Sequence, residues 1–326
     1  MNVCRFGILG PGKIANRFAS AFQYVPQAKV YAVASREEEK AREFAHTHEV
    51  EKFYSSYEAL LSDPAVDIVY VATPHPFHRD VTMLSLRYGK PVLCEKPLAM
   101  NYRQAHEMIT LARESELFLM EGMWSRFFPA IHKTLEWIQS GAIGEIKYVH
   151  SDFCFSAPVN LTGRVYNPDL GGGAQLDVGV YPLFFALLLL GEPSEIKSFS
   201  QLTTTGVDAT TSALLKYSGG AIAQVLSSVV TDSPKEALVM GTLGRIVLQS
   251  PWHKTQQASL QLNNGEVTNH PFPHSGNGFE FQIAEVARCM EAKKTESDLM
   301  PHRLSLLMAK VSDEIRRQGG VKYAMD

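Results

Sequence analysis

The first third of the chain alternates short β-branched runs with amphipathic stretches, the pattern of βαβ units building a parallel sheet. Val3 to Leu9 reads as a first strand, Lys13 to Phe22 as a helix, Val30 to Ala34 as a second strand and Glu37 to His46 as a helix with one charged face. Asp67 to Ala72 is almost wholly apolar, as suits a strand buried on both faces, and Pro91 to Cys94 and Phe118 to Met120 continue the series. After Gly122 the pattern changes. A helix is predicted over Ala130–Gln139, then strands over Ile146–Phe155, Glu195–Thr203, Ser212–Tyr217, Ala221–Val229 and Ala237–Met240, with tight turns such as Ser218-Gly219-Gly220. Strands that follow one another without helices imply an antiparallel sheet. Helical patterns over Gly278–Lys293 and Arg303–Gln318 close the chain. The expected class is therefore α/β, with a parallel-sheet domain over residues 1–122 and an α/β domain with an open, largely antiparallel sheet over 123–326.

A length of 326 residues agrees with two domains at roughly 150 residues each. Hydrophobic residues are 45% and charged residues 20%, ordinary globular usage that excludes a disordered or fibrous chain. Lys+Arg 31 against Asp+Glu 34 leaves −3 with no basic stripe, so no nucleic-acid partner is expected. Cys4, Cys94, Cys154 and Cys289 lie too far apart in sequence for a paired zinc or redox motif and fit a reducing compartment as small buried hydrophobes. Met-Asn-Val-Cys-Arg-Phe lacks the pattern of a secretory leader. The longest apolar stretch, Leu183–Leu190, is far short of the roughly 20 residues that span a bilayer. A cytoplasmic protein without a membrane partner is expected.

The strongest chemical signal is Gly7-Ile-Leu-Gly10-Pro11-Gly12-Lys13-Ile14-Ala15, which follows the first strand and opens the first helix. Gly10 permits the tight turn, Gly12 lets the backbone approach a pyrophosphate, and small Ala15 lets helix and strand pack. An ordinary glycine turn is the alternative, but the register within a βαβ run favours a dinucleotide. The second strand ends Ala34-Ser35-Arg36, without the carboxylate that would hold the ribose hydroxyl of NAD. Ser35 can donate to a 2′-phosphate and Arg36 offers a charged planar fork, which favours NADP; the plainer alternative is that Arg36 merely caps a solvated helix start.

Thr73-Pro74-His75-Pro76-Phe77-His78 and Glu95-Lys96-Pro97 follow two parallel strands, at the carboxyl ends where open α/β sheets bind ligands. His78 reads equally as a structural histidine. Lys96, directly after an apolar strand, could hold a substrate hydroxyl and stabilise a developing alkoxide. In the second half Gly171-Gly172-Gly173 runs into a helical stretch carrying Asp177 and Tyr181, four apart and so on one face. A phenol titrates near 10, but an ammonium such as Lys96 close to Tyr181 would favour the phenolate and make a usable acid/base. A capping Asp and a buried Tyr are the plain alternative. His75 and His78 are three apart but have no third partner for a metal.

Together these motifs resemble the Gfo/Idh/MocA (glucose–fructose oxidoreductase and inositol dehydrogenase) family over nearly the whole chain. The resemblance implies an N-terminal Rossmann domain and a second domain whose open sheet often supplies a homodimer interface. It implies Gly10, Pro11, Gly12, Lys13, Ile14, Ser35, Arg36, Thr73, Pro74, His78, Glu95 and Lys96 as cofactor contacts, Lys96 and Tyr181 as catalytic groups, and Asp177 as the carboxylate that orients substrate. Much of the family has histidine where this chain has Tyr181, which points away from inositol dehydrogenases. Met120-Glu-Gly-Met-Trp124-Ser-Arg126-Phe-Phe-Pro129 and Gly278-Phe279-Glu280-Phe281 are similar to the dimeric dihydrodiol dehydrogenase and NADP-dependent D-xylose dehydrogenase branch.

Trp124, Phe153 and Phe155 could wall a pocket for a sugar ring or flat diol, or pack in the core. Arg126 could bind cofactor or substrate or form an internal ion pair. The expected activity is NADP-dependent hydride transfer at a carbinol carbon of a polyol, aldose or vicinal diol. Two alternatives stand beside it: a non-catalytic NADP-binding regulator, and a glycosidase acting through tightly held NAD.

Overall fold

The computed structural model describes residues 3–326, which fall into two compact units. Among the described residues, the first comprises residues 3–99, Arg103–Trp124 and Ser275–Ser305. Its sheet contains β1 (Cys4–Leu9), β2 (Ala28–Ala34), β3 (Lys52–Tyr54), β4 (Ile68–Val71), β5 (Val92–Glu95) and β6 (Leu119–Gly122), all parallel, in the order β3-β2-β1-β4-β5-β6. The crossovers include α1 (Lys13–Ala19), α2 (Glu38–Thr47), α3 (Tyr57–Leu61), α4 (His78–Arg87) and α5 (Tyr102–Glu114). β4, β5 and β6 are buried at every position, which is why they read as continuous apolar runs. The order reverses at β1, between β2 and β4, and the loops leaving these strands carry the glycine motif, Ser35-Arg36 and Thr73-Pro74. Phe18 of α1 stacks on Tyr70 of β4 at 3.8 Å, and fully buried Ala15 lets that helix come so close.

The second unit comprises Met100–Tyr102, Ser125–His274 and Leu306–Asp326. After α6 (Pro129–Gln139) come β7 (Ile146–Cys154), α7 (Val180–Leu190), β8 (Glu195–Leu202), β9 (Asp208–Lys216), β10 (Ile222–Ser228), β11 (Ala237–Gly241), β12 (Gly244–Leu248), β13 (Gln257–Leu262) and β14 (Val267–Pro271). The sheet order is β14-β13-β12-β11-β7-β10-β9-β8, and only the β7–β10 pair is parallel. Alternation sets the two faces. Ala213, Leu215, Ala223, Val225, Val149 and Val239 are buried, whereas Phe199, Leu214 and Ile222 are exposed. The run Pro168–Leu190 is long and apolar enough to cross a membrane by length and composition, a reach the sequence pattern did not reveal; 83% of its most apolar 18-residue window is buried in the fold, the mark of a core segment.

The division at 122/123 needs one correction. Ser275–Ser305, which includes α8 (Phe279–Glu291) and the start of α9 (His302–Gly319), belongs with the first unit. Leu119 N donates to Thr295 O at 3.1 Å, His302 Nε2 lies 2.8 Å from Leu119 O, and Asn277 Nδ2 donates to Arg17 O at 2.7 Å. These partners lie far apart along the chain, and periodicity reports only local structure.

Candidate active site

In the first unit the expected nucleotide residues gather at the carboxyl ends of β1, β2, β4 and β5. Gly10 has φ +94, and an added Cβ there would lie 3.2 Å from the Ala72 carbonyl, so this turn needs glycine. Gly12 differs. A Cβ on it would meet nothing within 4 Å, and as the N-cap of α1 it has no side chain covering the first-turn amides. The loop thus holds an open cradle at amide groups beside exposed Lys13, with Pro11 and Ile14 half-buried around it, which fits a pyrophosphate. Thr73 packs its Cγ2 against the Gly10 position, and Pro74 is exposed beside it.

At the end of β2, Ser35 is buried and its Oγ accepts from Glu37 N at 3.1 Å, leaving the hydroxyl proton to donate elsewhere. Arg36 is exposed, its guanidinium 5.7 Å from the centre of the Phe77 ring. Phe77 was not among the expected site residues; its place after β4 gave no signal that it faced Arg36. The pair places a cation over an aromatic ring, a surface suited to an adenine.

His78 and Glu95 brace the loops; they do not line them. His78 is wholly buried, with Nδ1 2.8 Å from Pro97 O and Nε2 2.8 Å from Thr73 O, so both ring nitrogens face backbone and none is left for a ligand. Burial pushes this imidazole down to about 4, against the two carbonyls, which favour the cation. Glu95 is buried and accepts from Tyr70 Oη at 2.5 Å and from Lys96 N at 3.2 Å; burial raises its pKa, with the Lys96 charge opposing. One residue on, Lys96 is partly exposed. Glu121, also missed in sequence, accepts from Leu98 N at 2.9 Å, and burial pushes its carboxyl up to about 7. Two buried acids therefore flank the backbone that carries Lys96. Trp124 stacks on Phe279 at 4.7 Å within this unit, with Arg17 6.0 Å from its ring, so its pocket-wall role is at least partly a packing role.

In the second unit Asp177 sits on a π-helical turn, Gln175–Gly179, that continues into α7. Such turns are frequent at functional sites. The turn is tied down by Gln175 N, which donates to Asp208 Oδ2 at 2.7 Å. Asp177 is paired: Arg164 Nη1 donates to its Oδ1 at 2.7 Å and Nη2 to its Oδ2 at 3.1 Å. Burial works against the Arg164 charge, but Asp177 prevails and raises its pKa. Sequence gave no mark of Arg164 beyond its place in the loop before the glycines.

Tyr181, buried, lies among rings. Phe153 is 5.3 Å away and His253 5.6 Å, and these two stack on each other at 4.1 Å. Phe153 and Phe155, both partly exposed, rest on a small core of Ala174, Val178 and Val229. Each of the two therefore both packs and faces outward. His253 was also unforeseen. It is placed by fully buried Trp252, whose Nε1 donates to Asp152 O at 2.7 Å, and by Ser125 Oγ, which donates to His253 O at 2.6 Å. Arg126 is buried in the short turn after Trp124.

Comparisons with known proteins establish the family and the fold. Residues 4–123 match the model of the oxidoreductase family with an NAD-binding Rossmann fold, and residues 131–247 match the GFO/IDH/MocA C-terminal domain. The chain is 40% identical to a trans-1,2-dihydrobenzene-1,2-diol dehydrogenase of Danio rerio, over 99% of this chain and 98% of that one. A 3-ketoreductase from Actinomadura kijaniata, solved with NADP and TDP-benzene, superposes with a TM-score of 0.87 at 28% identity, covering 97% of this chain and 98% of that one. An aldose-aldose oxidoreductase from Caulobacter crescentus, complexed with glycerol, gives 0.88 at 25% identity, covering 98% of each. The chain belongs to the GFO/IDH/MocA family of NAD(P)-dependent oxidoreductases and is a dehydrogenase built on its Rossmann and C-terminal domains.

Proposed function

We propose that this protein is an NADP-dependent dehydrogenase of vicinal diols or sugars. The observation that carries the reading is that Asp177, on the π-helical turn, and Tyr181, at the start of α7, lie four residues apart, with the rings of Phe153 and His253 beside Tyr181. A carboxylate and a phenol at that spacing can hold two neighbouring hydroxyls, and the ring faces suit a sugar or a flat diol. When bound, the nicotinamide accepts or returns the hydride of the carbinol carbon. Tyr181 Oη takes the hydroxyl proton, so that the carbinol becomes a carbonyl, and gives it back in reduction. Lys96 Nζ is the cation this reading assigns to the alkoxide charge, and Asp177 is the carboxylate it assigns to the neighbouring hydroxyl. Ser35 and Arg36, with no carboxylate at the end of β2, support NADP over NAD.

The names of the relatives support the substrate class: a trans-dihydrodiol in one, a ketone in a 3-ketoreductase and an aldose in an aldose-aldose oxidoreductase. The exposed Phe199, Leu214 and Ile222 on the outer face of the eight-stranded sheet support a homodimer formed through that face. The four buried free thiols are in keeping with a cytoplasmic site of action.

The test follows NADPH absorbance with NADP or NAD against a trans-dihydrodiol, D-xylose, D-glucose and myo-inositol. Turnover with NADP and the diol or xylose is expected; preference for NAD would remove the role given to Ser35 and Arg36. Lys96→Met is expected to lower turnover by about a thousandfold with NADP binding intact. Near-normal turnover in that variant would remove Lys96 from the mechanism.

A further inference from the structure

The loop over residues 155–173 is shaped around one contact. Its glycines do not serve flexibility: a Cβ on Gly172 would lie 2.6 Å from Val165 O and 2.9 Å from Arg164 O. Gly173 N donates to Val165 O at 2.9 Å, and Gly172 N to Asn167 O at 3.0 Å. Thr205 Oγ1 adds a third tie, to Tyr166 O at 2.5 Å. The strand of chain bearing Arg164 is thus pressed directly onto the turn that leads into Asp177, at a distance only glycine allows. Both oxygens of Asp177 are engaged by the guanidinium, whose side chain remains 47% exposed while that of Asp177 is 7% exposed.

We infer that Arg164 is a positioning residue for the reaction proposed above, one that fixes the Asp177 carboxylate and cancels its charge beside Tyr181. The argument rests on that functional reading but has its own physical ground. A bare carboxylate one turn from a phenol repels the phenolate and would hold Tyr181 protonated. The fork of Arg164 removes that repulsion and places a cation near Tyr181. Among the described residues of this unit, Asp177 lies four residues before Tyr181, the Arg164 charge interacts with Tyr181 from the loop, and His253 flanks its ring from the turn after β12. β7 presents Ser151 and Phe153 to α7, and β10 presents Ser227 near Gly179; none of these is charged. A lysine could supply the charge but not the two parallel hydrogen bonds.

The test titrates the full-length protein labelled with ¹³Cζ-tyrosine, Tyr181→Phe identifying the resonance. In Arg164→Gln the Tyr181 midpoint is expected to rise by about one unit, a tenfold loss of phenolate at a given pH. Arg164→Lys is expected to restore part of the shift. In Arg164→Gln/Asp177→Asn, which removes both charges and guards against misfolding around an unpaired carboxylate, the midpoint is expected to return toward wild type. In turnover, Arg164→Gln is expected to lower kcat about tenfold at neutral pH with NADP affinity unchanged. An unchanged Tyr181 titration in Arg164→Gln overturns the inference. If the wild type turns over no polyol, the functional reading fails, while the titration still decides the role of Arg164.

Discussion

The two glycine-rich loops look alike as sequence and do opposite things. At Gly10-Pro11-Gly12 the second glycine leaves space open, since a Cβ on Gly12 would meet nothing within 4 Å at uncapped amides, while Gly10 is needed for the turn itself. At Gly171-Gly172-Gly173 it makes room for the protein, since a Cβ on Gly172 would strike two backbone oxygens of the same unit. The first loop is an open cradle braced from behind by His78, which spans Thr73 and Pro97. The second is closed and buried, and what it presents outward is the Arg164–Asp177 pair. A glycine run is therefore not itself a binding signal; what its absent Cβ would touch decides.

The contrast is testable, and the largest effect is expected at the brace of the first loop. The unfolded chain protonates His78 near the ordinary 6.5, the folded chain only near 4, so the unfolded state binds more protons between those values. The His78 contribution is present above pH 6.5 and is lost as pH falls toward 4, by up to about 3 kcal/mol. Urea melts of wild type and His78→Asn at pH 7 and 4.5 measure it; equal pH dependence in the two proteins would contradict the assignment. Next comes Gly172→Ala, expected to cost about 1–3 kcal/mol because backbone must move to admit the methyl. Its melting temperature should fall, and a neutral result would mean that the second loop is no closer packed than the first. Smallest is Gly12→Ala, whose stability should stay within about 0.5 kcal/mol while NADP affinity falls about tenfold. Loss of stability with unchanged affinity would invert the comparison.

Legibility followed the range of the interactions. The strands of the parallel sheet announced themselves because each is buried on both faces, and the glycine motif because it sits between a strand and a helix. β3 was missed, being short and mostly exposed, and so were β12, β13 and β14, short strands of which the last two are rich in polar residues. In the candidate site, Lys96, Asp177 and Tyr181 stood out through residue type and spacing. Arg164, His253, Phe77 and Glu121 did not, since each is defined by a partner elsewhere in the chain: Asp177, Phe153, Arg36 and Leu98. The family resemblance implies His78 and Glu95 as cofactor contacts, and their positions alone do not decide, since after a strand end facing a cleft and facing the backbone give the same pattern.

Periodicity, turn chemistry and residue type thus set the α/β class, the glycine cradle after β1 and the residues able to carry charge, because these depend on neighbours within a turn or a strand. The return of Ser275–Ser305 to the first unit, the burial that turns His78 and Glu95 into braces, and the clamp of Arg164 on Asp177 came from packing. Each of these depends on which atoms fill the space around a group, and desolvation and steric exclusion act through space rather than along the chain.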